Sequence, residues 1–178
     1  MQGSPQSEVG AVTTWRRLLW ATDLSEGAHA AGRAALSLAG RRTRIDVVNV
    51  VPADVGDLPP SLLSVLGEPG LLAAEGALEE EVRKAALAAL EEDAAFLTAA
   101  GRSQHLHIRT GDAAEQICAV AAELEADVLV MGPTARRGLK EVVFGSTLDH
   151  VTRHAPCPVL VIRSQAGTAA RTTPATSR

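Results

Sequence analysis

The sequence predicts a single α/β domain built on a parallel sheet with helices on both faces. Five short apolar segments, rich in β-branched residues, alternate with helical segments, and this order is typical of parallel strands. Two of these segments, residues 45–51 and 128–131, are nearly continuous in apolar residues, as expected of strands covered on both faces. A chain of 178 residues is long enough to bury a core without disulfides or a structural metal.

The predicted domain covers residues 15–163. Residues 1–14 and 164–178 are mostly small and polar and show no hydrophobic periodicity, so both are expected to be disordered tails. Within the domain, strands are predicted at 18–22, 45–51, 105–109, 128–132 and 159–163.

Three helix starts are marked by a capping side chain that is followed three residues later by a carboxylate. The pairs are Asp23 with Glu26, Asp112 with Glu115, and Ser146 with Asp149. The longest predicted helix covers residues 75–100, with apolar side chains on one side and glutamates on the others. The Pro-, Gly- and Leu-rich connection at 52–74 has two interpretations: a lid or binding loop, or an ordered surface excursion with a helical turn at 61–66.

Composition excludes several classes of function. A net charge of −4 and four aromatic residues, two Trp and two Phe, do not suit nucleic acid, which needs a basic surface and stacking platforms. The sequence has neither an apolar run of membrane-spanning length nor a secretory signal, so we expect a cytoplasmic protein without a membrane partner. Cys118 and Cys157 are too few for a disulfide framework and are expected to be thiols.

The strongest local signal lies after the fourth predicted strand. The strand ends at Gly132, and a helix begins at Gly145-Ser146-Thr147. A glycine turn and a helix N-terminus present free amides and the positive end of the helix dipole to one space. This pattern predicts an anion site, and phosphate is the natural anion.

Taken together, the turn Ala21-Thr22-Asp23-Leu24-Ser25-Glu26, the helix start at Gly111-Asp112 and the block 132–163 resemble the universal stress protein family over nearly all of residues 15–163. That family's nucleotide motif is Gly, two residues, Gly, nine residues, then Gly-Ser or Gly-Thr. Gly132, Gly145 and Ser146 match it, whereas Ala135 stands where the second Gly would be. The resemblance is therefore to the single-domain, ATP-binding type with an altered glycine motif.

The resemblance implies a Rossmann-like fold of the adenine-nucleotide alpha-hydrolase type, with five parallel strands in the order 3-2-1-4-5. The ligand is then expected at the switch point between the first and fourth strands. Adenine would lie near Val50 and the turn at 21–23, and Asp23 near the ribose or phosphates. The implied ligand is ATP, with or without Mg²⁺. The implied binding residues are Ala21, Thr22, Asp23, Val50, Met131, Gly132, Ala135, Arg136, Gly145, Ser146 and Thr147.

Two departures bear on this site. Ala135 would be strained if its position needs a left-handed backbone, and Pro133 has no amide hydrogen to donate. Arg136, Arg137 and Lys140 could neutralise a polyphosphate, or they could simply be solvated surface residues. Asp23 and Ser146 could likewise act as helix caps alone.

Two functions follow as hypotheses. The first is a cytosolic stress-response protein that binds ATP or a related adenine nucleotide and acts as a regulatory or signalling module. The alternative is a dimeric interaction or scaffold protein of the same fold that binds no nucleotide. No catalytic residues are assigned, and slow ATP hydrolysis is the most that is expected. No metal site is assigned either, because His150 and His154 lack a third ligand with suitable spacing.

The last predicted strand, Val159-Leu160-Val161-Ile162-Arg163, is expected to mediate a homodimer. In the implied strand order it lies at the edge of the sheet, where unpaired backbone groups invite pairing with another strand. It is apolar and contains no proline, and its one charge comes at its end.

Overall fold

The computed structural model describes residues 15–54, 58, 75–133 and 145–163. These residues form one α/β unit, as predicted from the alternation of strands and helices. The two expected tails and nearly all of the connection at 52–74 lie outside the described residues, so the predictions made for them remain predictions.

Five strands in the described part of the chain form one parallel sheet. The order β3-β2-β1-β4-β5 confirms the expected order 3-2-1-4-5. The strands are β1 Arg17–Ala21, β2 Arg44–Val51, β3 Gln104–Thr110, β4 Val128–Met131 and β5 Val159–Val161. The predicted ends shift slightly, because Thr22 and Gly132 follow their strands and β5 stops two residues early.

Helices cover both faces of this sheet. They are α1 Glu26–Leu38, α2 Glu75–Ala99, α3 Ala113–Glu123 and α4 Ser146–His154. α1 and α2 pack on one face, and α3 and α4 on the other. In β1, Leu18 and Trp20 face the first layer, whereas Leu19 and Ala21 face the second. Among the described residues, no helix combines the length and apolar character needed to cross a membrane.

Trp20 fixes the position of α1 on the sheet. Its indole Nε1 donates a hydrogen bond of 3.0 Å to the carbonyl of Ala28, and its ring lies directly over Gly32. A Cβ at Gly32 would be 2.5 Å from the ring, so this contact requires glycine. The bond and the contact together hold the first two turns of α1 beside the end of β1.

The three predicted helix caps have different outcomes. Asp112 is the N-cap of α3, and its Oδ1 accepts the amide hydrogen of Glu115 at 2.9 Å, as predicted. The prediction for Ser146 as a cap is wrong, because Gly145 is the N-cap of α4 and has no side chain that could accept a hydrogen bond. Asp149 instead pairs with Arg153 one turn later, at 2.8 Å.

The capping prediction for Asp23 is also wrong. The N-cap of α1 is Ser25, whose Oγ accepts the amide hydrogen of Ala28 at 3.2 Å. Asp23 accepts the amide hydrogen of Ser25 at 3.1 Å and so closes the turn before the helix. Leu24, with φ +62°, is in the left-handed region. This turn between β1 and α1 delays the helix by two residues.

A buried ion cluster lies under the amino-terminal half of β2. The carboxylate of Asp46 is fully buried and accepts hydrogen bonds from Arg44 Nε and Nη2 at 2.9 and 2.8 Å and from His107 Nε2 at 2.9 Å. Burial raises the pKa of Asp46, but the bonds from Arg44 and His107 outweigh it and hold the pKa below its usual value.

Candidate functional site at the carboxyl ends of β1 and β4

The neighbouring strands β1 and β4 end at a pocket of about 190 Å³. The chain leaves β1 toward α1 on one face of the sheet and leaves β4 toward α4 on the other. This divergence is the switch point at which open α/β sheets bind ligands. The lining residues are Ala21, Thr22, Asp23, Ala28, Val48, Val50, Ala113, Ile117, Met131, Gly132 and Thr147.

Most of the predicted binding residues come together here. Those that line the pocket are Ala21, Thr22, Asp23, Val50, Met131, Gly132 and Thr147. Gly145 and Ser146 begin the helix that carries Thr147 but do not line the pocket themselves. Ala135 and Arg136 lie outside the described residues, as do Arg137 and Lys140, so their part in the site remains a prediction.

The structure adds four apolar residues that the sequence interpretation missed. Val48 lies two residues before Val50 on the same face of β2, while Ala113 and Ile117 lie one turn apart at the start of α3. Ala28 contributes from the first turn of α1. The cap at Asp112 was the available signal, because it places the start of α3 at the carboxyl end of the sheet.

The turn after β1 is held in place by the side chain of Thr22, which is 6% exposed. Its Oγ1 donates to Asp93 Oδ2 at 2.9 Å and accepts the amide hydrogen of Leu24 at 3.0 Å. The second bond closes the turn that contains the left-handed Leu24. Thr22 thereby fixes the backbone that forms one wall of the pocket.

Two further side chains support the same turn. Asn49 is buried, and its Nδ2 donates to the carbonyl of Thr22 at 2.9 Å. Asp93, on α2, also pairs through Oδ1 with His29 Nδ1 on α1 at 2.8 Å. Asn49 on β2 and Asp93 on α2 thus bond Thr22 directly, and His29 on α1 holds Asp93 in place. Sequence reasoning missed both residues; the polar Asn49 within an apolar strand was the one visible signal.

Gly132 makes a very close backbone contact with α1. A Cβ on Gly132 would lie 2.4 Å from the carbonyl oxygen of Gly27, and a Cβ on Gly27 would lie 3.0 Å from the carbonyl oxygen of Pro133. The sequence interpretation assigned Gly132 to a phosphate loop. The structure shows an independent reason for glycine here, namely the approach of the segment after β4 to the first turn of α1.

Three helix N-termini meet around the pocket. α1 contributes Ala28, α3 its first residue Ala113, and α4 its second residue Thr147. The side chains of Ser25 and Asp112 cap one amide each in α1 and α3, whereas within the described ranges no side chain caps the first turn of α4. Each N-terminus carries about half a positive charge. The pocket is therefore best suited to a ligand with an anionic group next to α4.

The described residues offer no alternative metal centre. No group of three or more His, Cys, Asp or Glu side chains is arranged to hold a metal ion within the part of the chain that the structure describes. The ring centroids of His150 and His154 lie 4.2 Å apart, and His154 Nδ1 donates a hydrogen bond of 2.8 Å to the backbone carbonyl of His150. That bond occupies one of the two nitrogens that a metal would use.

Comparison with known sequences identifies relatives over the whole domain. A model of the Universal stress protein family matches residues 14–163. The chain is 37% identical over 59 residues to a universal stress protein of Methanocaldococcus jannaschii, a match that covers 33% of this chain and 35% of that protein. It is 26% identical over 162 residues to the stress response protein NhaX of Bacillus subtilis, covering 86% of this chain and 93% of NhaX.

Several solved structures share the fold. The universal stress protein UspA of Lactobacillus plantarum superposes with a TM-score of 0.63 at 25% identity, covering 84% of this chain and 99% of that one. A family protein of Arabidopsis thaliana with AMP bound gives 0.55 at 20% identity, covering 88% and 97%. A universal stress protein in complex with cAMP gives 0.59 at 20% identity, covering 84% and 98%.

Proposed function

This chain belongs to the universal stress protein family, and from that premise we propose that it binds an adenine nucleotide in the pocket at the ends of β1 and β4. It would then act in the stress response as a nucleotide-dependent regulatory or signalling module. The observation that carries the proposal is the meeting of an apolar pocket with the uncapped N-terminus of α4 at one switch point. Two proteins of the same fold are bound to AMP and cAMP.

The apolar part of the pocket suits a flat base. Val48, Val50 and Ile117 form the walls of this apolar part. The whole pocket has a volume of about 190 Å³, which is less than the roughly 300–1,000 Å³ typical of pockets that enclose a drug-sized ligand. The pocket therefore accommodates the adenine ring, and the ribose and phosphates extend out of it. We propose that backbone groups near Val50 and in the turn at 21–23 recognise the edge of the base.

The polar rim divides into an acidic and an electropositive side. Asp23 is exposed beside the pocket, where its carboxylate can accept hydrogen bonds from ribose hydroxyls. The phosphates would bind on the other side, at the first amides of α4 and the hydroxyls of Ser146 and Thr147. We propose ATP as the nucleotide, with or without Mg²⁺, and we place its outer phosphates toward the segment that contains Ala135 and Arg136.

The proposal includes no catalytic residue. Asp23 is the one titratable group among the described residues that line the pocket, and its carboxylate already closes the turn before α1. His29 and Asp93, behind Thr22, pair with each other and link α1 to α2. Slow ATP hydrolysis is the most that we propose. Cys118 and Cys157 are free thiols whose pKa burial raises, as expected of packing residues rather than of nucleophiles.

The second candidate function is that of a dimeric scaffold that binds no nucleotide, and β5 is the observation that favours it. This short edge strand exposes Leu160, which is 36% accessible, between the half-buried Val159 and Val161. An apolar edge of this kind is suited to pairing with a second copy through residues 159–163. A homodimer is compatible with both functions, so dimerisation alone does not separate them.

Mass spectrometry of the ligand released from gently purified protein tests the proposal. The nucleotide hypothesis predicts an adenine nucleotide in about equimolar amount, or uptake of ATP or AMP when protein purified without ligand is titrated. A protein that is folded and dimeric but takes up neither nucleotide contradicts it and supports the scaffold hypothesis.

A further inference from the structure

Four arginines lie close together at the amino-terminal end of the sheet, opposite the pocket between β1 and β4, which we call the nucleotide pocket. Arg41 and Arg42 come from the turn that leads into β2, Arg44 is the first residue of β2, and Arg102 comes from the segment between α2 and β3. With Ser103 and His105 they line an open concavity of about 370 Å³, which we call the arginine concavity. Along β2, Arg44 of the arginine concavity and Val50 of the nucleotide pocket are six residues apart, which is roughly 20 Å at about 3.3 Å per residue.

The charge of the arginine concavity opposes that of the whole protein. No acidic residue is among the described residues that line it. Asp46 lies buried beneath it and pairs with Arg44. Four guanidinium groups minus one carboxylate leave three positive charges, although the chain as a whole carries −4.

Helix dipoles account for only part of this cluster. α1 ends at Leu38 and α2 at Ala99, so both negative helix ends point toward the arginines. Each end carries about half a negative charge, and the two together neutralise about one guanidinium. Roughly two positive charges therefore remain uncompensated by Asp46 and the ends of α1 and α2.

Two of the arginines are already held in place. Arg44 is fixed by Asp46, and Arg102 Nη2 donates to the carbonyl of Thr43 at 2.7 Å. Since a guanidinium has five N–H donors, each retains donors for a ligand. Arg41 and Arg42 are exposed at the centre of the turn closed by the 3.0 Å bond from Thr43 N to the Gly40 carbonyl, and neither has a side-chain partner within the described ranges.

We propose that the arginine concavity binds a linear oligophosphate, that is, two or more linked phosphate groups. The planar fork of arginine matches phosphate oxygens in a bidentate way, and several forks around one concavity suit several linked phosphates better than a single one. The concavity is the size of a small ligand and lacks the ~800 Å² per partner of a stable protein interface. The ligand is either inorganic oligophosphate or the phosphate tail of a nucleotide.

Calorimetric titration with inorganic tripolyphosphate tests this proposal. We expect binding to the wild type, and affinity about tenfold lower or worse in the double variant Arg41→Ala/Arg42→Ala, because two charge-assisted contacts are lost. The matched control is Arg83→Ala/Lys84→Ala, which removes the same charge from two exposed cations of α2 that pair with Glu80 and Glu81. We expect the control to stay within about twofold of the wild type.

Two results would overturn the proposal: a wild type that does not bind tripolyphosphate, or equal affinities in the two double variants. A parallel titration with ATP identifies the source of the phosphates. A stoichiometry of two ATP per wild-type chain that falls to one in Arg41→Ala/Arg42→Ala would show that the ligand is the phosphate tail of a nucleotide. If the variant loses tripolyphosphate binding but binds ATP as the wild type does, the ligand is an inorganic oligophosphate. Arg41 and Arg42 do not line the nucleotide pocket, so tripolyphosphate bound there would be unaffected by Arg41→Ala/Arg42→Ala. The loss of affinity in that variant therefore reports on the arginine concavity, and either proposal can fail alone.

Discussion

Gly132 and Gly27 touch through their backbones, and a Cβ on Gly132 would lie 2.4 Å from the carbonyl oxygen of Gly27. This contact joins the segment after β4 to the first turn of α1, the two parts of the chain that border the pocket at the switch point. The shape of the pocket and the packing of α1 therefore depend on the same glycine.

The substitution Gly132→Ala should destabilise the protein even without ligand. The added methyl group meets rigid backbone rather than a movable side chain, and overpacking of this kind costs about 1–3 kcal/mol. Chemical denaturation of the ligand-free variant measures the loss. A variant as stable as the wild type would show that α1 can move away from Gly132 without cost, and the packing role would then be wrong.

The substitution Thr22→Val should loosen the turn that borders the pocket. Valine keeps the shape of threonine but removes the hydroxyl that bonds Asp93 and the amide of Leu24, at a cost of about 1–3 kcal/mol. Denaturation and nucleotide titration should both show a loss. The control is Thr98→Val, whose hydroxyl bonds Gln104 on the surface, and it should change neither quantity. Equal effects of the two variants would contradict the positioning role.

Asp46 should make stability depend on pH on the acid side. Its pKa in the folded protein is below the unfolded value of about 4, so its ionised form contributes stability above that pH, and the contribution is lost as pH falls toward the folded pKa. The wild type should therefore lose stability below pH 4 more steeply than Asp46→Asn does. Asp149→Asn, which removes an exposed pair with Arg153, should follow the wild type. Parallel curves for wild type and Asp46→Asn would refute this.

The homodimer proposal predicts that Val161→Pro gives monomers. The amide of Ile162 bonds Met131 on β4, so by alternation the amide of Val161 points away from β4 toward the free edge. Proline at 161 therefore removes a donor that faces the edge available to a second copy, while the hydrogen bonds between β5 and β4 stay intact. Sedimentation of wild type and variant measures it. A wild type that is monomeric at tens of micromolar contradicts the homodimer.

The sequence predicted those features of the fold that depend on neighbouring residues, namely the positions of the strands and the start of α3. The alternation of apolar segments located the strands to within two residues, and Asp112 marked the start of α3 because its cap bond is local. The prediction of Asp23 as a cap was wrong because Ser25, two residues later, caps the helix instead. The left-handed backbone of Leu24 makes a turn after Asp23, so that the helix begins only after Ser25.

Contacts between distant segments could not be predicted in the same way. The bond from Asn49 to Thr22 and the contact of Trp20 with Gly32 join segments that meet only in the folded sheet. The arginine concavity likewise combines two loops separated by about sixty residues, neither of which is distinctive alone. The candidate pocket was predicted more fully, since the ends of parallel strands always share one edge of a sheet.

Titration of ATP against a pocket-filling variant tests the central claim most directly. Ala113 lines the pocket at the start of α3, and Ala119 is exposed on the same helix, so Ala113→Leu and Ala119→Leu form a matched pair. We predict that ATP binds the wild type and Ala119→Leu alike and binds Ala113→Leu about tenfold more weakly or worse, because leucine occupies the space of the base. A wild type that takes up no ATP, or an Ala113→Leu variant that binds it undiminished, would contradict an adenine nucleotide site between β1 and β4.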